Sequence, residues 1–225
     1  MKFLSYGHQY IDEEDIRAVA DVLRGDWLTQ GPSVDAFEKA FAEYVGTRHA
    51  VAFANGTAAL HGAYFAAGVG PGDEVITSPM TFAATSNAVL YLGGTVRFAD
   101  MDPATLCLDP KKAGEGITTR TKVIAPVSYS GYPADLAAFR EAAEGSGAVL
   151  VEDACHALGA KRGKIPVGKE ADLTAFSFHP VKHITTGEGG MVTTDSDEYA
   201  ERLRLFRTHG ITKDPTRMEG EPDGP

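Results

Sequence analysis

Short apolar segments alternate with amphipathic segments along most of this chain, and this alternation limits the folds open to it. Apolar runs of strand length occur at 50–54, 74–77, 95–99, 122–127, 148–151, 173–178 and 191–194. Helical periodicity occurs at 13–24, 57–67, 82–92, 134–144 and 198–207, and in a further helix whose predicted inward residues are Val34, Phe37, Phe41 and Tyr44. Such alternation predicts an α/β fold with a mainly parallel mixed sheet and helices on both faces.

The chain divides into three parts. Residues 1–32 contain the first helix and a turn-like loop, and 33–213 contain the alternating strands and helices, with a small hairpin turn at 161–164. Residues 214–225 are polar and rich in glycine and proline, which predicts loop or disorder. A chain of 225 residues is long enough to bury one sizeable core.

The charge and the cysteine content disfavour several classes of protein. A net charge of -10 argues against nucleic acid or an anionic membrane surface as partner, so local groups would have to hold any anionic substrate. Cys107 and Cys155 give neither a disulfide framework nor metal-ligand spacing, which is typical of a reducing compartment. The N-terminus lacks the apolar core of a signal peptide, and no apolar run is long enough to span a bilayer. We therefore expect a cytoplasmic protein without a metal.

One lysine stands between a strand-like run and a glycine-rich loop. After the apolar run from Leu173 comes Ser177-Phe-His-Pro-Val-Lys182-His-Ile-Thr-Thr-Gly187-Glu-Gly-Gly190. A lysine at the mouth of a sheet, beside small flexible residues, suits Schiff-base chemistry with a carbonyl cofactor. A surface lysine before a turn is the commoner explanation of such a residue taken alone.

Two further segments supply the other contacts that pyridoxal phosphate requires. Asp153 ends an apolar run, and its carboxylate would keep a pyridinium nitrogen protonated. Gly56 and Thr57 follow the strand-like run from Val51 and open a helix, where free amides and the helix dipole attract a phosphate. Gly56, Asp153 and Ser177 all lie at carboxyl ends of predicted strands, where ligands collect in such sheets. The sequence therefore predicts a pyridoxal-phosphate enzyme.

Each of these residues also has an ordinary structural explanation. Gly56 and Thr57 fit a plain helix N-cap, and Asp153 fits a cap of the next turn. Phe82, predicted to begin a helix, could stack on the cofactor ring or belong to the core. His156 could hold the carboxylate of Asp153 or the phenolate edge of the cofactor, or be a satisfied buried histidine. Their order and spacing along the chain, taken together, favour the cofactor site.

The combination of motifs resembles one known family, the DegT/StrS-type aminotransferases of nucleotide-sugar biosynthesis. Besides the lysine segment, the resemblance is carried by Leu28-Thr-Gln-Gly31, Asn55-Gly-Thr-Ala-Ala59, Ser78-Pro-Met-Thr-Phe-Ala-Ala-Thr85, Asp153-Ala-Cys-His-Ala-Leu-Gly159 and Leu205-Phe-Arg-Thr-His-Gly210. It extends over essentially the whole chain. It implies the large domain of pyridoxal-phosphate fold type I in 33–213, and a homodimer.

The resemblance also implies a role for each candidate residue. Lys182 would carry the cofactor and Asp153 would pair with its ring nitrogen. The remaining cofactor residues would be Gly56, Thr57 and Ser177 at the phosphate, Phe82 over the ring, and His156. The residues in contact with substrate would be Tyr6, Asp26, Trp27, Leu28 and Thr29.

The activity implied is transfer of an amino group, with glutamate as donor, to C4 of a UDP-linked 4-keto-6-deoxy-N-acetylhexosamine. The alternatives are another nucleotide-sugar aminotransferase, with a different ketone position or nucleotide, and an inactive fragment that keeps the fold. Pyridoxamine-dependent sugar dehydration is disfavoured, because the relatives that catalyse it have histidine in place of Lys182.

Members of the family continue further, through an asparagine that reaches the partner's phosphate and a small C-terminal domain. Nothing after Arg217 resembles either part. The resemblance therefore predicts that this chain is the large domain alone, with the truncation point at 214–225. It also predicts that helix faces near Ile16 and Leu23 are partly exposed, and that the chain by itself binds the cofactor weakly or not at all.

Overall fold

A seven-stranded sheet organises the molecule. The computed structural model describes residues 7–212 and residue 216. The strands are β1 His49–Phe53, β2 Glu74–Thr77, β3 Thr95–Phe98, β4 Thr121–Ala125, β5 Val149–Asp153, β6 Lys161–Arg162, β7 Ile165–Pro166, β8 Leu173–Ser177 and β9 Gly190–Thr194. The helices are α1 Glu13–Arg24, α2 Pro32–Val45, α3 Gly56–Ala66, α4 Ala84–Leu90, α5 Pro110–Glu115, α6 Leu136–Ala142 and α7 Asp197–Arg207, with a 3-10 turn at Tyr129–Gly131.

The sheet is mainly parallel. Its strand order is β1-β9-β8-β5-β4-β2-β3, and β6 and β7 form a separate small hairpin. β8, β5, β4, β2 and β3 pair in parallel, whereas β9 runs antiparallel to both β1 and β8. The mixed, mainly parallel sheet predicted from the sequence is thus confirmed. Because β1 and β8 flank the reversed β9, the carboxyl ends of β1, β5 and β8 lie on the same edge of the sheet.

Helices cover both faces of the sheet, as the alternating pattern predicts. On β5, Val151 belongs to a core with residues of α3, α4 and α7, whereas Leu150 belongs to a core with residues of α5 and α6. A third core joins α2 to β8 and β9 through Phe41, Phe176 and Met191. The side chains of successive strand residues point to opposite faces, so a short apolar run such as β5 serves two cores at once.

Local sequence chemistry fixes where several helices begin and end. The carboxylate of Asp12 accepts hydrogen bonds from the amides of Glu14 and Asp15, and the carboxylate of Asp15 accepts one from the amide of Asp12. Together these hydrogen bonds form a capping box at the start of α1. Pro32 occupies the first turn of α2, and Gly46 closes that helix in the left-handed conformation at φ 85°. The predicted division between 1–32 and 33–213 therefore falls within the first turn of α2.

Three details of the sequence prediction are wrong. Tyr44 is 65% exposed, because α2 turns Glu38 inward, where it accepts the amide of Ala52 and pairs with Arg207. Phe82 does not begin a helix, since α4 starts two residues later, after a turn. The six-residue helix α5 was missed altogether, because it is too short to show a helical repeat.

Helix α1 buries none of its residues, although one of its faces is apolar. Ile16 is 52% exposed and Leu23 is 67% exposed, as expected from the sequence. A search of the described residues for a helix both long and apolar enough to cross a membrane found none.

A buried glutamate, Glu152, precedes Asp153 and lies on the opposite face of β5. Glu152 is 1% exposed, and its carboxylate accepts the hydroxyl of Ser128 at 2.5 Å and that of Thr174 at 3.4 Å. Burial raises the pKa of Glu152 from 4.5 to about 7, despite these hydrogen bonds. Between pH 4.5 and about pH 7 the folded chain keeps a proton on Glu152 that the unfolded chain releases. The free energy of unfolding therefore falls as the pH rises through this range.

We expect Glu152→Gln to remove this pH dependence. A shift from 4.5 to about 7 in the pKa corresponds to about 3 kcal/mol of unfolding free energy. Glutamine keeps an acceptor for Ser128, so the variant should match the wild type near pH 4.5 and exceed its stability by up to that amount above pH 7. Urea unfolding at pH 5 and pH 8 measures the difference. Glu144→Gln, at an exposed position, is the control, and equal pH dependence in the wild type and Glu152→Gln would contradict the prediction.

Candidate active site

The carboxyl ends of β1, β5 and β8 open into a cavity of about 430 Å³. The predicted cofactor residues meet there. The cavity is lined by Gly56, Thr57, Phe82, Asp153, His156, Ser177 and Lys182. The structure thus brings together residues that are far apart in the sequence, at the sheet edge where parallel strands gather ligands.

Helix α3 presents its N-terminus to the cavity. The side chain of Asn55 caps the helix by accepting the amide of Ala58 at 2.8 Å. Among the described residues, the amides of Gly56 and Thr57 find no acceptor in the protein. Two free amides at the positive end of a helix dipole form an anion-binding position.

Gly56 also brings the backbone of α3 close to the end of β8. A Cβ atom at this position would lie 2.9 Å from the Cβ of Ser177 and 3.3 Å from the Sγ of Cys155. Only glycine fits in this space, so the free amides and the hydroxyl of Ser177 share one side of the cavity.

Lys182 lies in the connection from β8 to β9. The connection is closed by the strand pair Ser177 and Gly190, and by a hydrogen bond of 2.8 Å from the amide of Phe178 to the carbonyl of Gly189. A turn holds the lysine backbone, because its amide donates to the carbonyl of His179 at 2.8 Å. The half-buried side chain lines the same cavity as Asp153.

Asp153 is 4% exposed and its carboxylate is held from two sides. The hydroxyl of Thr85 donates to Oδ2 at 2.6 Å, and the amide of Cys155 donates to Oδ1 at 3.1 Å. A carboxylate offers about four acceptor positions, so capacity remains on the cavity side.

His156 packs its ring edge-on against Tyr129, with 6.1 Å between the ring centroids. Burial, followed by the positive charge of Lys182, holds the pKa of His156 below its usual range. The imidazole is therefore neutral near pH 7, with one donor and one acceptor nitrogen.

Of the predicted substrate residues, the four that the structure describes lie away from the cavity lining. Tyr6 is outside the described residues. The exposed segment after α1, made of Asp26, Trp27, Leu28 and Thr29, does not line the cavity. Their contact with substrate stays a prediction. Phe82 lies at the cavity with 71% of its surface exposed, a position from which an aromatic ring could cover a ligand.

The structure adds residues that the sequence reasoning missed. The hydroxyls of Thr81 and Thr85 form a hydrogen bond of 2.8 Å, and the hydroxyl of Thr85 also hydrogen-bonds to the carboxylate of Asp153. His179 and Glu188 also line the cavity. The spacing of Thr81 and Thr85, four residues apart at the start of a helix, was the available signal. The described residues contain no group of three or more His, Cys, Asp or Glu side chains able to hold a metal ion.

The polar groups of the cavity fit pyridoxal phosphate. The free amides of Gly56 and Thr57 suit its phosphate, the carboxylate of Asp153 suits its ring nitrogen, and the amine of Lys182 suits its carbonyl. Because Gly56 has no Cβ, the hydroxyl of Ser177 lies close to these amides and offers a further donor for the phosphate.

Comparisons with known proteins agree with this chemistry. The DegT/DnrJ/EryC1/StrS aminotransferase family matches residues 9–222. The spore coat polysaccharide biosynthesis protein SpsC of Bacillus subtilis is 45% identical over 211 residues, which are 94% of this chain and 54% of that protein. PseC of Helicobacter pylori, an aminotransferase involved in the biosynthesis of pseudoaminic acid, superposes with a TM-score of 0.89 at 36% identity, covering 99% of this chain and 60% of that one.

A third similar protein was solved with a cofactor. NtdA of Bacillus subtilis with bound PMP superposes with a TM-score of 0.84 at 35% identity, covering 92% of this chain and 47% of that one. The chain spans about half the length of the curated relatives it matches.

Proposed function

The chain belongs to the DegT/DnrJ/EryC1/StrS aminotransferase family, and on that premise we propose that the protein carrying it transfers an amino group to a nucleotide-linked sugar. The observation that carries this proposal is the meeting of Lys182, Asp153 and the N-terminus of α3 at one cavity. A structural lysine, a cap and a turn aspartate would have no reason to converge in this way.

The cofactor is pyridoxal phosphate, as in the family and its solved relatives. When bound, it supplies a carbonyl that exchanges amines and a ring that accepts electrons. We propose that the amides of Gly56 and Thr57 and the hydroxyl of Ser177 hold its phosphate. Phe82 would cover the ring and exclude water.

Lys182 and Asp153 would perform the chemistry on the protein side. Lys182 would hold the cofactor through its carbonyl carbon until the amino donor displaces it. The Lys182 amine would also act as the general base and acid that moves a proton at the α-carbon of the amino donor. Asp153 would hold a proton on the ring nitrogen. The neutral His156 would hold either the carboxylate of Asp153 or the phenolate edge of the ring.

For the substrate we propose C4 of a UDP-linked 4-keto-6-deoxy-N-acetylhexosamine, with glutamate as donor. The reaction would be that of UDP-4-amino-4,6-dideoxy-N-acetyl-beta-L-altrosamine transaminase in pseudaminic acid biosynthesis. The similarity of the lysine segment and of Trp27-Leu-Thr29 to that enzyme supports the proposal, as does the likeness to PseC.

We also propose that the protein is a homodimer. The exposed aromatic side chains of Phe82, Tyr91 and Phe98 support this proposal, because a partner subunit could bury them.

A substrate panel tests this proposal. We expect the protein carrying this chain, supplied with pyridoxal phosphate and glutamate, to aminate a UDP-4-keto-6-deoxy-N-acetylhexosamine, with the product identified by mass spectrometry and the dimer by sedimentation. UDP sugars with the ketone elsewhere and TDP-4-keto sugars are the comparison substrates. Preference for one of these would replace the proposed substrate by another nucleotide sugar, and no product with any of them would favour a fragment without turnover.

A further inference from the structure

Two threonine hydroxyls form a short chain that ends on the carboxylate of Asp153. The hydroxyl of Thr85 lies 2.6 Å from Oδ2 of Asp153, and the hydroxyl of Thr81 lies 2.8 Å from that of Thr85. Thr85 is fully buried. The Thr85 hydroxyl has one hydrogen and two acceptors within reach, the carboxylate of Asp153 at 2.6 Å and the carbonyl of Phe82 at 3.2 Å. The shorter, charge-assisted contact takes the hydrogen, so Thr85 donates to Asp153 and Thr81 donates to Thr85.

The backbone of Thr85 is fixed as well. The hydroxyl of Tyr64 donates to its carbonyl at 2.9 Å, and its own amide donates to the carbonyl of Phe82 at 3.1 Å. Burial raises the pKa of Tyr64 well above its ordinary value, so this phenol remains a donor at every relevant pH. Thr85 is therefore held by its backbone and by its side chain, and its hydroxyl has a defined direction.

We infer that Thr85 is a positioning residue for Asp153, with Thr81 orienting its hydroxyl. The hydrogen bond to Oδ2 and the amide of Cys155 on Oδ1 fix the plane of the carboxylate, which leaves its remaining acceptor capacity to the cavity. The inference rests on the proposed function, in which Asp153 meets the ring nitrogen of pyridoxal phosphate.

The test compares three replacements. Thr85→Val keeps the shape and removes the donor, whereas Thr85→Ser keeps the donor. Thr77→Val is the matched control, because Thr77 is also fully buried and donates one hydrogen bond, of 2.8 Å, but to the carbonyl of Ala125. All three variants leave unchanged the titratable groups that respond to the charge of Asp153, namely Tyr64, Glu152, Cys155 and His156.

Two readouts besides activity decide the result. In crystals of the cofactor-free protein, we expect the carboxylate of Asp153 to rotate in Thr85→Val and to stay in place in Thr85→Ser and Thr77→Val. With ¹⁵N-labelled pyridoxal phosphate, the ring nitrogen in Thr85→Val should lose its proton at a lower pH, and the dissociation constant should rise about tenfold. Thr85→Ser should restore both values.

The outcomes separate the two proposals. Absence of pyridoxal phosphate binding by the wild-type protein that carries this chain would overturn the proposed function, while the crystal structures would still decide the role of Thr85. An unmoved carboxylate in Thr85→Val, or an unchanged ring-nitrogen signal in a variant that binds the cofactor, would overturn the inference. If Thr85→Val does not fold, Thr81→Val removes only the orienting donor, and it should shift the ring-nitrogen signal in the same direction by a smaller amount; no shift there would contradict the inference.

Discussion

In the protein that carries this chain, Lys182→Ala should remove all covalently attached cofactor and, with it, the proposed sugar transamination. The side chain is half-buried in a loop, and its amine is the group at the cavity that we expect to hold the cofactor carbonyl. Removing it should leave the sheet intact, because the loop is closed by strand pairing at Ser177 and Gly190. The measurements are the visible absorbance of lysine-bound cofactor, and borohydride reduction followed by peptide mapping.

Other lysines provide the controls for this experiment. Lys161, Lys164 and Lys169 lie on or near the small hairpin and do not line the cavity. Alanine at any of them should leave the absorbance and the reduced adduct unchanged. An adduct mapped to one of these three lysines in the wild-type protein would show that Lys182 is not the cofactor lysine.

In the full-length protein that carries this chain, Asp153→Asn should lower transamination by at least about two orders of magnitude, a loss of a few kcal/mol of transition-state stabilisation. Asparagine keeps the volume and an acceptor oxygen for Thr85, but it lacks the negative charge that would hold a proton on the ring nitrogen. Steady-state kinetics should show the loss mainly in kcat, because the charge acts on the reacting ring more than on substrate binding.

Asp100→Asn changes an exposed aspartate away from the cavity and serves as the control. Its kinetics and stability should equal those of the wild type. Near-normal turnover in Asp153→Asn would mean that Asp153 is a structural residue at the end of β5 and has no electronic role.

The strands that carry the site were predictable because each is a buried apolar run that ends in a polar residue. The run before Asp153 and the run before Ser177 both have this form, and the parallel sheet then places their ends together. The predicted cofactor residues line one cavity for this reason, and for the helix start at Gly56.

The remaining features depend on tertiary contacts that a linear pattern does not contain. Thr85 is part of the site only because the start of α4 reaches the carboxyl end of β5, where a hydrogen bond joins residues 68 positions apart. Tyr44 fits the apolar repeat, yet it is exposed because Glu38 takes an inward position opposite Arg207. Short helices such as α5 rest on a cap at Asp109 and carry too few residues to show a period.

The length of the connection between β8 and β9 is constrained by the position of Lys182 more than by folding. Its ends are already paired at Ser177 and Gly190, so an added residue would change the entropy of loop closure very little, since even doubling a loop costs about 0.6 kcal/mol. The same added residue could displace the amine of Lys182 by up to ~3.5 Å. Insertions and deletions in this loop would therefore be removed by selection for the position of the amine, long before they affected folding.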